Sequence, residues 1–169
     1  GAFFSVRYAL VNLDATETAS VLMRFMRRDG TTQIHTLTIP PRERRTVDVQ
    51  GLPGMAQAEF STTVEANASV GVDRTMSWDA SGYGSHAEAG LPAASTVWYL
   101  AEGATSSSFD LYYLLQNPGD SPTTATVRYL RPTPLAPIVK IYSLLPHSRF
   151  NIHVNEEAPE LAAAEVSAA

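Results

Sequence analysis

Three observations predict an all-β chain of antiparallel sheets. Apolar residues alternate with polar ones along several runs, as where Phe4, Val6, Tyr8 and Leu10 interleave with Ser5, Arg7 and Ala9; this is the period of a strand buried on one face. Turn-forming residues separate the runs, as at Asn12-Leu13-Asp14-Ala15 and Asn117-Pro118-Gly119-Asp120. The third observation is an internal repeat: Phe4, Tyr8, Leu10 and Asn12 recur at one fixed spacing as Phe109, Tyr113, Leu115 and Asn117. With one-residue slips, Arg24-Phe25 then matches Arg128-Tyr129, and Pro41, Arg44 and Val49 match Pro146, Arg149 and Val154. Ala58-Glu59-Phe60-Ser61 likewise matches Ala164-Glu165-Val166-Ser167. The slips fall in turns, whereas a slip inside a strand would turn its core face outward. Two copies of a unit of about 100 residues predict two tandem immunoglobulin-like antiparallel β-sandwiches. Each is expected to be incomplete: 1–97 lacks a counterpart of Trp98–Thr105, and 98–169 lacks a counterpart of the hairpin ending at Trp78.

The elements follow in order. Residues 4–12 form the first strand, and 109–115 its copy, with Phe109, Leu111, Tyr113 and Leu115 on one face. Val21, Met23 and Phe25 face one way around Arg24, as Ala125, Val127 and Tyr129 do around Arg128. Arg28-Asp29-Gly30-Thr31 predicts a tight Asp-Gly hairpin, while Arg131-Pro132-Thr133-Pro134 predicts a wider loop. Strands over 33–39 and 139–144 end at Pro41 and Pro146, which cannot donate to a ladder. Val47 and Val49, like Ile152 and Val154, return to the core. Residues 51–54 form a loop, and 55–58 read either as a brief helical turn or as the lead-in to Phe60. An antiparallel pair is expected from 59–65 and 69–78, bent around Ala66-Asn67-Ala68 and closed by Trp78. The Gly-, Ser- and Ala-rich stretch 79–94 reads as an irregular excursion. Pro92 to Ser95 then leads into Val97–Leu100, whose aromatics suit packing where units meet.

Composition narrows the function classes. The formal net charge of −5 argues against a nucleic-acid binder, which needs a concentrated positive field. The absence of Cys removes disulfides and thiolate sites. No apolar run approaches the roughly 18 residues of a membrane span, and Gly1-Ala2-Phe3-Phe4 lacks the pattern of a secretion signal. Eleven of the twelve basic residues are Arg, the exception being Lys140.

Candidate chemistry is sparse. His35, His86, His147 and His153 fall in no paired metal-ligand spacing. His86-Ala87-Glu88 offers two ligands on one strand face, but loop packing explains it more simply. Glu156, Glu157 and Glu160 lack calcium-loop spacing and read as solvated charge. Arg24, Arg27 and Arg28, with Arg42, Arg44 and Arg45, suit an anionic glycan or a partner, though outward strand charge also protects sheet edges. Ser106-Ser107-Ser108 and Ser85-His86 lack a nucleophile elbow. Trp78, Trp98, Tyr99, Tyr112 and Tyr113 offer an aromatic glycan platform, against which stands packing in the core and between units. The residues expected to contact a neighbouring unit or partner are Trp78, Tyr83, Trp98 and Tyr99. No catalytic residue, cofactor or metal site is expected.

Trp98-Tyr99-Leu100-Ala101-Glu102-Gly103, Leu115-Gln116-Asn117-Pro118-Gly119, Asp73-Arg74-Thr75-Met76-Ser77-Trp78 and the stretch Gly82 to Gly90 together resemble a family of tandem repeats in large extracellular bacterial proteins. Units of that family open with Trp-Tyr-Leu-Ala-Glu-Gly. The resemblance implies a spacer or adhesion module that is extracellular or on the cell surface. It transfers no enzymatic residues. The expected function is thus a non-enzymatic structural or adhesion repeat, with protein partners, either neighbouring repeats or copies of itself. The alternatives are a filament subunit completed by strands exchanged between chains, and a carbohydrate-binding module using Tyr83 and Tyr99.

Overall fold

The computed structural model describes residues 4–78 and 84–169, and it is all-β. The chain divides into two compact units, one of residues 1–27 and 31–93, the other of 28–30 and 94–169.

The first unit contains β1 (Ser5–Asn12), β2 (Ala19–Met26), β3 (Thr32–Ile39), β4 (Arg44–Asp48), β5 (Ser61–Ala66), β6 (Val70–Ser77) and β7 (Ser85–Ala89). They form two antiparallel sheets, ordered β4-β1-β6-β7 and β3-β2-β5. The alternation in β1 does what its period predicts: Val6, Tyr8, Leu10 and Asn12 are buried and the residues between them are not. From the other sheet, Val21, Met23 and Phe25 of β2 meet them in one core cluster with Val47, Val49 and Met55. Phe25 packs edge-on against Phe60, with ring centroids 5.2 Å apart at 85°, a favoured aromatic geometry.

The second unit contains β8 (Tyr112–Asn117), β9 (Thr123–Leu130), β10 (Ile138–Leu144), β11 (Ser148–His153), the one-turn helix α1 (Val154–Glu157) and β12 (Ser167–Ala168). Its sheets are β11-β8 and β10-β9-β12. Tyr113, Val127, Tyr129, Ile152, Val154 and Leu161 form its core.

The repeat holds at the level of individual ladder pairs. Tyr8 stands opposite Val47 as Tyr113 stands opposite Ile152. Phe25 is flanked by Gln33 and Thr62 as Tyr129 is flanked by Ile138 and Ala168. Each of these residues stands at the position that the repeat aligns with its counterpart, although Gln33 is replaced by Ile138 and Thr62 by Ala168.

Four expectations are corrected. The segments 59–65 and 69–78 do not pair with each other: β5 joins β2 in one sheet and β6 joins β1 in the other. The chain crosses between sheets at Asn67, whose N–H donates to the Ser20 carbonyl and whose Oδ1 accepts from the Ser20 N–H at 2.6 Å. Within 79–94, Ser85–Ala89 is a strand on the edge of β6 rather than irregular chain. All five of its residues are exposed, so it carries no apolar alternation. Phe109 and Leu111 precede β8 instead of lying in it, because Asn155 replaces the ladder there: its Oδ1 accepts from the Leu111 N–H at 3.0 Å and its Nδ2 donates to the Phe109 carbonyl at 2.9 Å. Phe4 packs edge-on against Trp78, while Phe109 is 64 % exposed. Finally, the 28–31 hairpin is wider than a two-residue turn. Gly30 takes φ +82° and the Arg27 N–H reaches the Thr31 carbonyl at 2.9 Å, a left-handed position that suits glycine.

Candidate functional site

The stretch Trp98–Thr105 is held as an extended clasp along the end of the second unit. Leu100 and Ala168 exchange both backbone hydrogen bonds, the Val166 N–H donates to the Gly103 carbonyl, and the Thr105 N–H donates to the Ala164 carbonyl. Thr105 is buried; its hydroxyl donates to the Leu161 carbonyl and accepts from the Ala164 N–H at 2.8 Å. The Ser167 hydroxyl donates to the Ala101 carbonyl at 2.8 Å. A Cβ on Gly103 would lie 2.6 Å from Leu111 Cδ2 and 3.1 Å from the Val166 carbonyl. Glycine and threonine are therefore dictated by packing and hydrogen bonding. The clasp has no counterpart among the described residues of the first unit, where the buried Ser61 hydroxyl, which matches Ser167, has no hydrogen-bond partner.

Of the residues expected to make contacts, Trp78 packs its ring on Phe4 within its own unit, and its backbone N–H donates to the Gly84 carbonyl. Tyr83 lies outside the described residues. The Trp98 indole donates to the Ser95 carbonyl at 3.1 Å, and Tyr99 is 79 % exposed. Tyr113 is a core residue rather than part of a surface platform, and Tyr112 stacks on His153 at 4.5 Å between centroids.

The candidate charged groups are spread over separate local partners. Glu88 pairs with Arg74, and His147 with Asp120 at 2.7 Å. His153 sits between Asp110 and Glu156, at 3.1 and 3.2 Å. Arg24 pairs with Glu65, Arg45 with Glu43, and Arg27 donates to the Gly54 carbonyl. Among the described residues no group of three or more His, Cys, Asp or Glu is placed to hold a metal ion. Two surface depressions among the described residues are open, one lined by Ser20 to Leu22 and Thr36 to Thr38, the other by Arg131, Leu135 and Glu160 among others.

One polar cluster escaped the sequence reading. The hydroxyls of Tyr129 and Tyr142 lie 2.6 Å apart, Tyr142 donates to Glu157 Oε2 at 2.7 Å, and Lys140 Nζ pairs with the same carboxylate oxygen at 3.2 Å. These residues are scattered over β9, β10 and α1, and only the alternation of Lys140 with Tyr142 on β10 hinted at a shared face. Burial pushes the Tyr129 hydroxyl up from 10.0 to about 12, with the Glu157 charge adding to it. Burial also raises Tyr142, helped by its hydrogen bonds to Tyr129 and Glu157. The folded state thus keeps protons that the unfolded chain releases at ordinary tyrosine pKa. The resulting stability is fully present below about pH 10 and is lost as pH rises through about 12. Thermal melts of the second unit will stay level up to pH 10 and then fall steeply, and the Tyr129→Phe/Tyr142→Phe double variant will lose most of that slope.

No protein-family model, no curated protein and no solved structure matches the chain.

Proposed function

We propose that the two units are tandem structural repeats of immunoglobulin-like sandwich type, serving as a non-enzymatic spacer or adhesion scaffold in a secreted or surface-displayed bacterial protein. The observation that carries this reading is the repeated ladder register, Tyr8–Val47 with Phe25–Thr62 and Tyr113–Ile152 with Tyr129–Ala168. Duplicating a module together with its internal pairings multiplies length and load-bearing units and leaves each core self-contained. The buried polar side chains support the reading. Asn12, Asn117 and Thr105 spend their hydrogen bonds on nearby backbone, as residues that lock turns and strand ends do.

A spacer of this kind must resist extension as discrete units. Pulled from both ends in an optical trap, the chain is expected to open in two separate steps. Each should release contour length matching one unit at about 3.5 Å per residue. A single continuous extension without steps overturns the proposal.

A further inference from the structure

In the first unit β1 is an interior strand, with β4 on one side and β6 on the other. Its counterpart β8 has β11 on one side and, among the described residues, no strand on the other. Backbone alternation identifies the groups on that open side. The Leu111 carbonyl accepts from the Val154 N–H on the β11 side, so residues 113, 115 and 117 share that direction. The N–H and C=O groups of Tyr112, Leu114 and Gln116 therefore point to the open edge.

A second observation lies beneath the same edge. Tyr113 is 5 % exposed, and its buried hydroxyl has no hydrogen-bond partner. The matching Tyr8 hydroxyl donates to Thr62 Oγ1 at 2.7 Å. Arg74 of β6 stands directly opposite Tyr8 in the ladder, and its guanidinium draws the Tyr8 pKa down against the upward push of burial. In the second unit the position of Thr62 is taken by Ala168, and the described residues hold no counterpart of Arg74. A buried hydroxyl left unpaired is costly, and the described residues of the second unit hold neither a counterpart of the threonine that accepts from the Tyr8 hydroxyl nor one of the arginine opposite it in the ladder. Only one of them, the arginine, can be supplied from outside, because the other belongs to the unit's own β12.

We propose that the open edge of β8 is a strand-acceptor site for an extended antiparallel segment of the pattern Val-x-Val-x-Arg-x-Met, the pattern of β6, with its arginine opposite Tyr113 and donating to the Tyr113 hydroxyl. The register follows from β1 and β6. Val72, Arg74 and Met76 stand opposite Leu10, Tyr8 and Val6, which places the segment's Val, Arg and Met opposite Leu115, Tyr113 and Leu111. Main-chain pairing along an open edge supplies affinity, and alternate side chains reaching the core supply selectivity. The inference rests on the repeat reading, since the donor pattern is taken from the first unit, and it adds a ligand site to it.

The probe is a synthetic peptide with the sequence of residues 69–78, titrated into the intact chain. Saturable binding is expected, with the amides of Tyr112, Leu114 and Gln116 passing from fast to slow hydrogen exchange. A peptide carrying Arg74→Met should bind about tenfold more weakly, the loss of a hydrogen bond to a charged donor. The Tyr113→Phe chain, which discards only the orphaned hydroxyl and should fold as well as the parent, should bind the two peptides equally. No binding, binding without protection of those three amides, or an equal loss in both chains overturns the proposal. So does protection of the same amides in chain alone at high concentration, with dimers in light scattering, since the occupant would then be a second copy. Failure here leaves the two-step extension of the unliganded chain intact, so the acceptor site and the repeat reading fall separately.

Discussion

Replacing Asn12 with Ala lowers the stability of the first unit by about 3 kcal/mol, a large share of the few kcal/mol that hold a domain of this size. Asn12 is completely buried at the end of β1. Its Nδ2 donates to the carbonyls of Glu17 at 2.7 Å and Ile39 at 2.9 Å, and its Oδ1 accepts from the Asp14 N–H at 2.9 Å. The amide thus ties the end of β1 to the entry of β2 and the exit of β3. Truncation leaves buried backbone groups unpaired, at roughly 1–3 kcal/mol each, and opens a small cavity. Asn12→Asp separates the two causes. It keeps the shape and the acceptor for Asp14 but sets a carboxylate against two carbonyl oxygens, so it should cost at least as much as Ala at neutral pH and less in acid, where the carboxyl carries a proton. Asn117→Ala should act alike on the second unit, because Asn117 Nδ2 donates to the Ser121 and Leu145 carbonyls, each at 2.9 Å, and its Oδ1 accepts from the Gly119 N–H. Urea melts followed separately for the two units give the comparison; an Asn12→Ala loss under 1 kcal/mol would show that water replaces the amide.

That pair of asparagines also marks what was legible in the sequence. The repeat and the parity of inward residues were readable because a strand with one buried face must alternate, and β1, β2, β8 and β9 each have one. The asparagines read as turn residues, which they are, but their clamping of a second chain segment needs three-dimensional proximity between Asn12 and Ile39. β7 was illegible because an edge strand exposed on both faces is held by backbone pairing, which leaves no mark on side-chain pattern. The separation of β5 from β6 was illegible for a different reason. Two adjacent amphipathic runs joined by a short turn read as a hairpin whether they pair with each other or arch across a core. The displacement of Phe109 and Leu111 from β8 depends on one side chain, Asn155, standing in for a ladder. Of the polar groups near the proposed acceptor edge, the sequence aligned Tyr8 with Tyr113, but only the structure shows one hydroxyl satisfied and the other not.

Gly103→Val is expected to detach the Trp98–Thr105 clasp from the second unit and to cost about 3 kcal/mol, at the upper end for overpacking. The conflict is steric rather than conformational. Gly103 is not among the residues with positive φ, so a side chain meets no backbone strain there. It meets matter instead, with Leu111 Cδ2 at 2.6 Å and the Val166 carbonyl at 3.1 Å from the first carbon alone. Leu111 can rotate away, so Gly103→Ala should cost far less than Val. The branched side chain must also push against Val166, whose N–H donates to the Gly103 carbonyl. Relief then requires the clasp to lift, which breaks the Leu100–Ala168 exchange and strips the buried Thr105 hydroxyl of both its partners. Hydrogen exchange reads this locally: in Gly103→Val the amides of Leu100, Thr105, Val166 and Ala168 should lose protection together, while those of β1 and β2 keep theirs. Loss confined to Gly103 and Val166 would mean that the clasp bends around the new side chain, and that the tight approach at Gly103 is a local accommodation with no part in holding the edge of β12.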